Sequence, residues 1–290
     1  MAGRLSDQQR LAEAYDAARP RLVRVAYSIL GTRAESEDVV ADCWLRLVEA
    51  DRREPVRDVL GWGTVAVARA ALDVLRSARV RREAYVGPWL PEPVVTEPDP
   101  ADRVTLDDSV RYALLVVLEQ LTPAERTAWV LHDLFAMPFA EVAAAVGRTP
   151  EAVRQLASRA RRHVSAGTPR VDVDRDTHHR VLEAFLVAAA GGDLTGLVRV
   201  LDPDVVLTSD GGGAVSAARR PVLGADRVAR FLLGVVRKGA DRTVAVVDVN
   251  GAPGLVLLER DGTRSAVVSL TVDGDRVVRV DLVVAPAKLA

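Results

Sequence analysis

Cysteine is almost missing from this chain of 290 residues: Cys43 stands alone. That excludes an intramolecular disulfide and any cysteine-rich zinc site, and nothing else in the sequence calls for a metal or a cofactor. Lysine is nearly missing too. Of 39 basic residues only Lys238 and Lys288 are lysine, leaving 37 arginines, so a single arginine carries little weight. No apolar run approaches the ~18 residues of a membrane span. The opening MAGRLSDQQRLAEAYDAARP also lacks the apolar core of a secretory signal. The expectation is a cytoplasmic protein with no membrane partner. An excess of either charge is absent as well: the net charge is −1, so a nucleic-acid role has to rest on local patches.

What is present is a chain 49% hydrophobic, long enough for about two domains at ~150 residues each. Residues 8–86 read as helical. Leu22, Val23, Tyr27 and Leu30 share one face of a first helix, and Val39, Val40, Cys43, Trp44 and Leu47 share one face of a second. The charged stretch DRREPVRD (51–58), broken by Pro55, separates the second from a third helix at about 59–83. GPWLPEPVVTEPDPADR (87–103) holds five prolines in 17 residues and reads as an extended linker, here bounded at 87–105. Helices resume over 106–166, with Thr-Pro pairs at 122–123 and 149–150 marking two starts. From about 176 to 290 the pattern changes to helices followed by TVAVVDV, GLVLLER, SAVVSLTV and RVVRVDLVV, joined by Gly-rich turns. That order predicts an α+β domain.

GRTPEAVRQLASRARRH (147–163) has five arginines and one acidic residue. Thr149 suits an N-cap, Pro150 the first helical position and Glu151 the dipole. Val153, Leu156, Ala157 and Ala160 form an apolar stripe, with Arg154, Gln155, Ser158, Arg159, Arg161 and Arg162 largely off it. PFAEVAAAV (138–146) supplies a short helix just before, and Gly147-Arg148-Thr149 the turn: a helix-turn-helix pattern. In that arrangement Arg154, Gln155 and Ser158 approach base edges, while Arg148, Arg159, Arg161 and Arg162 suit phosphates. A helix hairpin with a solvated basic face would carry the same pattern.

Two helical units, a Pro-rich linker and a second unit ending in helix-turn-helix resemble a bacterial extracytoplasmic-function (ECF) RNA polymerase sigma factor. RPRLVRVAYSILGTRAESEDVVADCWLRL and LGWGTVAVARAALDVLRSARVRRE are similar to the polymerase-binding and promoter-melting segments of sigma region 2. LTPAERTAWVLHDLFAMPFAEVAAAVGRTPEAVRQLASRARRH is similar to region 4, which reads the −35 element. WLPEP (Trp89, Leu90, Pro91, Glu92, Pro93) resembles the linker motif of the ECF subgroup that carries a SnoaL-like domain. So does Asp210-Gly211-Gly212-Gly213, which matches that subgroup's DGGGK except at Ala214. The resemblance implies a multidomain fold: two all-α sigma domains and an α+β, cone-shaped SnoaL-like barrel. It also implies core RNA polymerase and promoter DNA as partners.

Under that resemblance Glu35, Glu37, Asp38 and Asp42 dock on the polymerase; a solvated acidic helix face is the plainer reading. The loop at 51–58, with Arg52, Arg53 and Arg57, stands where the family captures a base of the −10 element. Arg69, Arg76, Arg79, Arg81 and Arg82 follow on the adjacent helix as phosphate contacts. Trp62 sits where the family has an aromatic residue, and core packing is favoured for it over base contact.

For residues 176–290 an isomerase-like activity would require a buried carboxylate base and a Tyr or His donor. The segment has no Tyr, and His178 and His179 lie at the start of its first helix. Asp210 is a candidate base with no evident partner, so no catalytic residue is assigned. The resemblance implies instead a fused regulatory module that takes the place of a separate anti-sigma protein, with Asp210–Gly213 against WLPEP as the candidate contact. A small-molecule ligand for the cone is an open expectation that the sequence does not name. The rival reading is a stand-alone helix-turn-helix regulator with a ligand-sensing domain.

Overall fold

A computed structural model describes residues 2–83, 85, 87–96, 111–167, 173–239 and 241–289. The chain divides into two compact units that do not follow its linear order. One comprises 1–81 with 118–164, the other 82–117 with 165–290.

In the first unit α1 (Ala2–Leu30), α2 (Arg33–Arg53) and α3 (Val59–Glu83) are long helices. Gly31, at φ +75°, ends α1 in the left-handed region that glycine enters without strain. The apolar spacing places Leu22, Val25 and Ile29 of α1, Val40 and Leu47 of α2, and Val67 and Ala71 of α3 in one core, all fully buried. Each large aliphatic there contributes ~1.5–3 kcal/mol by leaving water. Tyr15 Oη donates to the Val40 carbonyl at 2.5 Å and fixes α1 on α2. The second helix runs on to Arg53, so Asp51–Arg53 of the charged stretch are helical rather than loop. Asp51 then bends the loop by accepting from Val56 N, 2.9 Å, and Asp58 starts α3 by accepting from Gly61 N, 2.8 Å.

The same unit holds α5 (Pro123–Trp129), a π-helical turn (Val130–Leu134), α6 (Phe139–Val146) and α7 (Pro150–Gly167). Thr122 and Glu125 form a reciprocal capping box at the start of α5. Arg126, 1% exposed, ties this helical group to α1: its Nε donates to the Ser28 carbonyl at 3.2 Å, and its guanidinium pairs with Glu119.

The second unit is built on a seven-stranded sheet in the order β1-β4-β5-β6-β7-β2-β3. The strands are β1 (Val95–Thr96), β2 (Leu201–Asp210), β3 (Val222–Leu223), β4 (Thr243–Val249), β5 (Ala252–Leu258), β6 (Arg264–Asp273) and β7 (Arg276–Val283). Among the described strands only β2 and β7 run parallel. Register shifts in β2, β5 and β6 mark bulges, the device by which a sheet bends. One face packs on α8 (Arg175–Ala190), α9 (Leu194–Val200) and α10 (Ala225–Lys238) through Leu182, Phe185, Leu197, Leu207, Leu233 and Val280. On the other face Val247, Val256, Val267 and Val283 pack with Leu90 of the linker and with Tyr112 and Val116 of α4 (Tyr112–Leu118). The linker thus contributes a strand: Val95 pairs with Val249 of β4. The helices-then-meander order matches the α+β expectation.

Candidate nucleic-acid interface

The turn between α6 and α7 is made by Gly147, left-handed at φ +68°. Thr149 Oγ1 accepts from Ala152 N at 3.2 Å and caps α7. Val153, Ala157 and Ala160 are fully buried, which leaves Arg154, Gln155, Ser158, Arg159, Arg161 and Arg162 exposed along the opposite side. Arg148 and Thr149 are exposed at its N-terminus. Arg154 lies 5.4 Å from the Phe139 ring centroid and 3.4 Å from Glu151. Arg159 and Arg161, expected on phosphates, form ion pairs within the unit, with Glu125 at 2.8 Å and Asp133 at 2.5 Å.

On α2, Asp38 and Asp42 are exposed, whereas Glu35 accepts from Thr32 Oγ1 at 2.6 Å and Glu37 pairs with Arg33 at 2.9 Å. Arg52 and Arg53 both reach Glu49, at 3.8 and 2.9 Å, and Arg57 is exposed. Trp62 is half-buried and lines a cleft of about 410 Å³ with Asp58, Val65, Arg69 and Glu141. Arg69 Nη2 donates to the Ala144 carbonyl at 2.5 Å, and Arg76 pairs with Asp73 at 3.2 Å. The side chains of Arg79, Arg81 and Arg82 lie outside the described residues.

The third site is in the second unit, and it corrects the expectation that Asp210 has no partner. Asp210 is fully buried at the end of β2. Its Oδ2 accepts from Leu90 N at 2.8 Å and faces Lys288 Nζ at 2.7 Å. Its Oδ1 accepts from Tyr85 Oη at 2.5 Å and from Gly212 N at 2.9 Å. Lys288 also donates to the Leu90 carbonyl at 2.5 Å and stands 3.8 Å from the centroid of the Trp89 ring. Burial alone would raise the Asp210 carboxyl, but Lys288, the Leu90 N–H and Tyr85 hold it below the ordinary range. Burial and the neighbouring carboxylate push the Tyr85 phenol up. The Pro91 carbonyl accepts from Tyr112 Oη at 2.8 Å. Pro93 is buried and Glu92 half-buried. A Cβ on Gly211 would lie 2.1 Å from the Val215 carbonyl oxygen, and Gly212 stands at φ +68° beside Ala285; Gly213 has open space around it.

Comparison with known proteins decides what these surfaces belong to. The Sigma-70 region 2 family matches residues 14–81, and the Sigma-70 region 4 family matches 111–164. The ECF RNA polymerase sigma factor SigJ of Mycobacterium tuberculosis is 43% identical over 267 residues, 89% of this chain and 85% of SigJ. The ECF sigma factor SigI of that species is 36% identical over 292 residues, covering 98% and 97%. The crystal structure of M. tuberculosis SigJ superposes with a TM-score of 0.77 over 96% of this chain and 97% of that one. The chain belongs to the ECF RNA polymerase sigma factors.

In this sigma factor the region 4 residues on α7 come together on one surface. The region 2 set does not: Arg52, Arg53 and Arg76 pair with acids on their own helices, and Arg69 reaches the Ala144 carbonyl of α6. Three residues escaped the sequence. Leu45, 69% exposed, stands one turn beyond Asp42 on α2; its signal was that it falls off that helix's apolar stripe. Tyr85 reaches Asp210 across 125 residues of sequence, a pairing no local pattern encodes. Lys288 had a signal, being one of two lysines in an arginine-rich chain. Among the described residues no helix is long and apolar enough to cross a membrane, and no group of acidic, His or Cys residues could hold a metal.

Proposed function

We propose that this sigma factor docks on core RNA polymerase through Asp38, Asp42 and Leu45 of α2 and reads the −35 element with α7. Arg154, Gln155 and Ser158 face base edges there, with Arg148 and Arg162 on phosphates. Arg52 and Arg53 at the end of α2 and Arg57 in the loop that follows hold the −10 strand. The observation that carries this reading is the division of α7. Val153, Ala157 and Ala160 of its apolar stripe are fully buried, while a cationic and amide-bearing face stays exposed behind an N-terminus capped by Thr149. Promoter-directed transcription with bacterial core polymerase tests it. Arg154→Ala and Gln155→Ala are expected to reduce the promoter-specific transcript, and unchanged transcript from both would count against the assignment.

The second unit is, on this reading, a built-in regulator that makes a separate anti-sigma protein unnecessary, not an enzyme. The sheet face toward α8, α9 and α10 is apolar, from Leu207 and Val268 to Leu282. Its buried carboxylates, Asp210 and Asp281, alternate with those residues along β2 and β7 and so point to the opposite face. Both are committed to ion pairs, with Lys288 at 2.7 Å and Arg279 at 2.8 Å. Neither carboxylate therefore supplies a proton-abstracting base toward the apolar face, where a substrate would sit. A ligand there would be small and apolar.

A further inference from the structure

The recognition helix is held by more than its apolar stripe. Arg159 Nε donates to Glu125 Oε1 at 2.8 Å, and Arg161 Nε donates to Asp133 Oδ1 at 2.5 Å. Glu125 is 7% exposed and belongs to the α5 capping box, its second oxygen accepting from Thr122 Oγ1 at 2.7 Å and Thr122 N at 3.2 Å. Asp133 stands in the π-helical turn, a different element. Positions 159 and 161 are two residues apart, roughly 200° around a helix. The two ties therefore leave α7 on either side of the stripe formed by Val153, Ala157 and Ala160.

That placement opposes a particular motion. A helix packed by small side chains alone, here largely valine and alanine, can roll about its axis. At the ~5–6 Å radius of a helix with its side chains, a roll of about 20° carries a side-chain tip about 2 Å. Hydrogen bonds to base edges tolerate only a few tenths of an ångström. Two charged tethers on opposite flanks, anchored to separate elements, hold the roll. Each pair is also neutral as a unit, so it displaces few counterions from DNA, unlike an unpaired arginine on a phosphate.

We propose that Glu125 and Asp133 are positioning residues that set the angle of α7, and with it the choice of −35 bases, by holding Arg159 and Arg161. Those two arginines then add little to phosphate binding. The proposal rests on the reading that α7 contacts DNA. The test uses holoenzyme assembled from the full chain and core polymerase. Promoter binding is measured against salt concentration, on the cognate −35 sequence and on single-base variants of it. Glu125→Gln, Asp133→Asn, Arg159→Met and Arg161→Met are each expected to reduce discrimination roughly tenfold, the scale of one base contact, with the salt slope unchanged. Arg148→Met is the reference for a phosphate contact and is expected to lower the slope by about 0.9. Slopes reduced by about 0.9 in both arginine variants, with discrimination intact in Glu125→Gln and Asp133→Asn, would overturn the proposal. Asp133→Asn, outside the capping box, carries the test should Glu125→Gln lower the melting temperature. If Arg148→Met, Arg154→Ala and Gln155→Ala also leave binding unchanged, the DNA-reading assignment of α7 fails, and this proposal with it.

Discussion

Lys288 meets Asp210 at 2.7 Å, ammonium to carboxylate, where the carboxylate has no exposed surface. Lys288 closes the 3-10 turn Pro286–Lys288 and Asp210 ends β2, yet together they fasten the linker through Leu90 and Trp89.

Removing one partner of such a pair leaves an uncompensated charge in the interior. Lys288→Met is expected to destabilise the second unit by about 3–5 kcal/mol. Adding Asp210→Asn to it should recover a large part of that loss. A double-mutant cycle by denaturant unfolding checks the coupling; additive effects would mean that the pair contributes nothing as a pair.

A methyl group on the glycine loop gives a graded outcome. At Gly211 it would collide with the backbone carbonyl of Val215, whereas at Gly213, φ +71°, it meets no neighbour. Gly213→Ala should cost only the left-handed penalty of about 1–2 kcal/mol. Gly211→Ala should cost more and loosen Asp210 from Leu90, read as faster amide exchange at Leu90.

His178 sets an acid limit. Burial pushes its pKa down to about 4 from the ordinary ~6.5, so between those values the unfolded chain binds a proton that the folded one refuses. Stability is full above pH 6.5 and falls as pH drops toward 4, by about 3 kcal/mol in all. His178→Leu should flatten that segment of a stability-versus-pH curve measured by denaturant unfolding.

Leu45 tests the polymerase-facing side of α2. An exposed large apolar residue one turn from Asp42 and Glu49 suits an interface anchor. Leu45→Ser is expected to weaken core polymerase binding about tenfold, with the melting temperature unchanged. Equal binding by the variant would remove Leu45 from the interface.

Local signals were legible wherever one element explained itself. Thr149, Pro150 and the Val153–Ala157–Ala160 stripe announced α7, and the β-branched runs announced β4 to β7. Pairings between distant segments were not legible. Val95–Thr96 becomes a strand only because β4 offers an edge, and the prolines before it gave no hint. The pairing of Arg159 with Glu125 was not legible because the carboxylate lies 34 residues back, on another helix. The π-helical turn, where Phe135 N reaches the Val130 carbonyl, has no composition of its own. Motif resemblance supplied Asp210 and WLPEP; chemistry alone left Asp210 without a partner, since Tyr85 and Lys288 come from opposite ends of the unit's sequence.

The hydrogen bond from Arg69 to the Ala144 carbonyl has a consequence on the scale of DNA. The −10 and −35 elements are about 25 base pairs apart, about 85 Å along the duplex at ~3.4 Å per step. Arg69, which the resemblance places on the downstream element, here touches the helix that leads into the upstream reader, and Arg126 is buried against α1. No single placement of this unit on a promoter occupies both elements. For both elements to be read at once, the unit is expected to open like a pair of calipers, parting Arg69 from the Ala144 carbonyl and Arg126 from the Ser28 carbonyl.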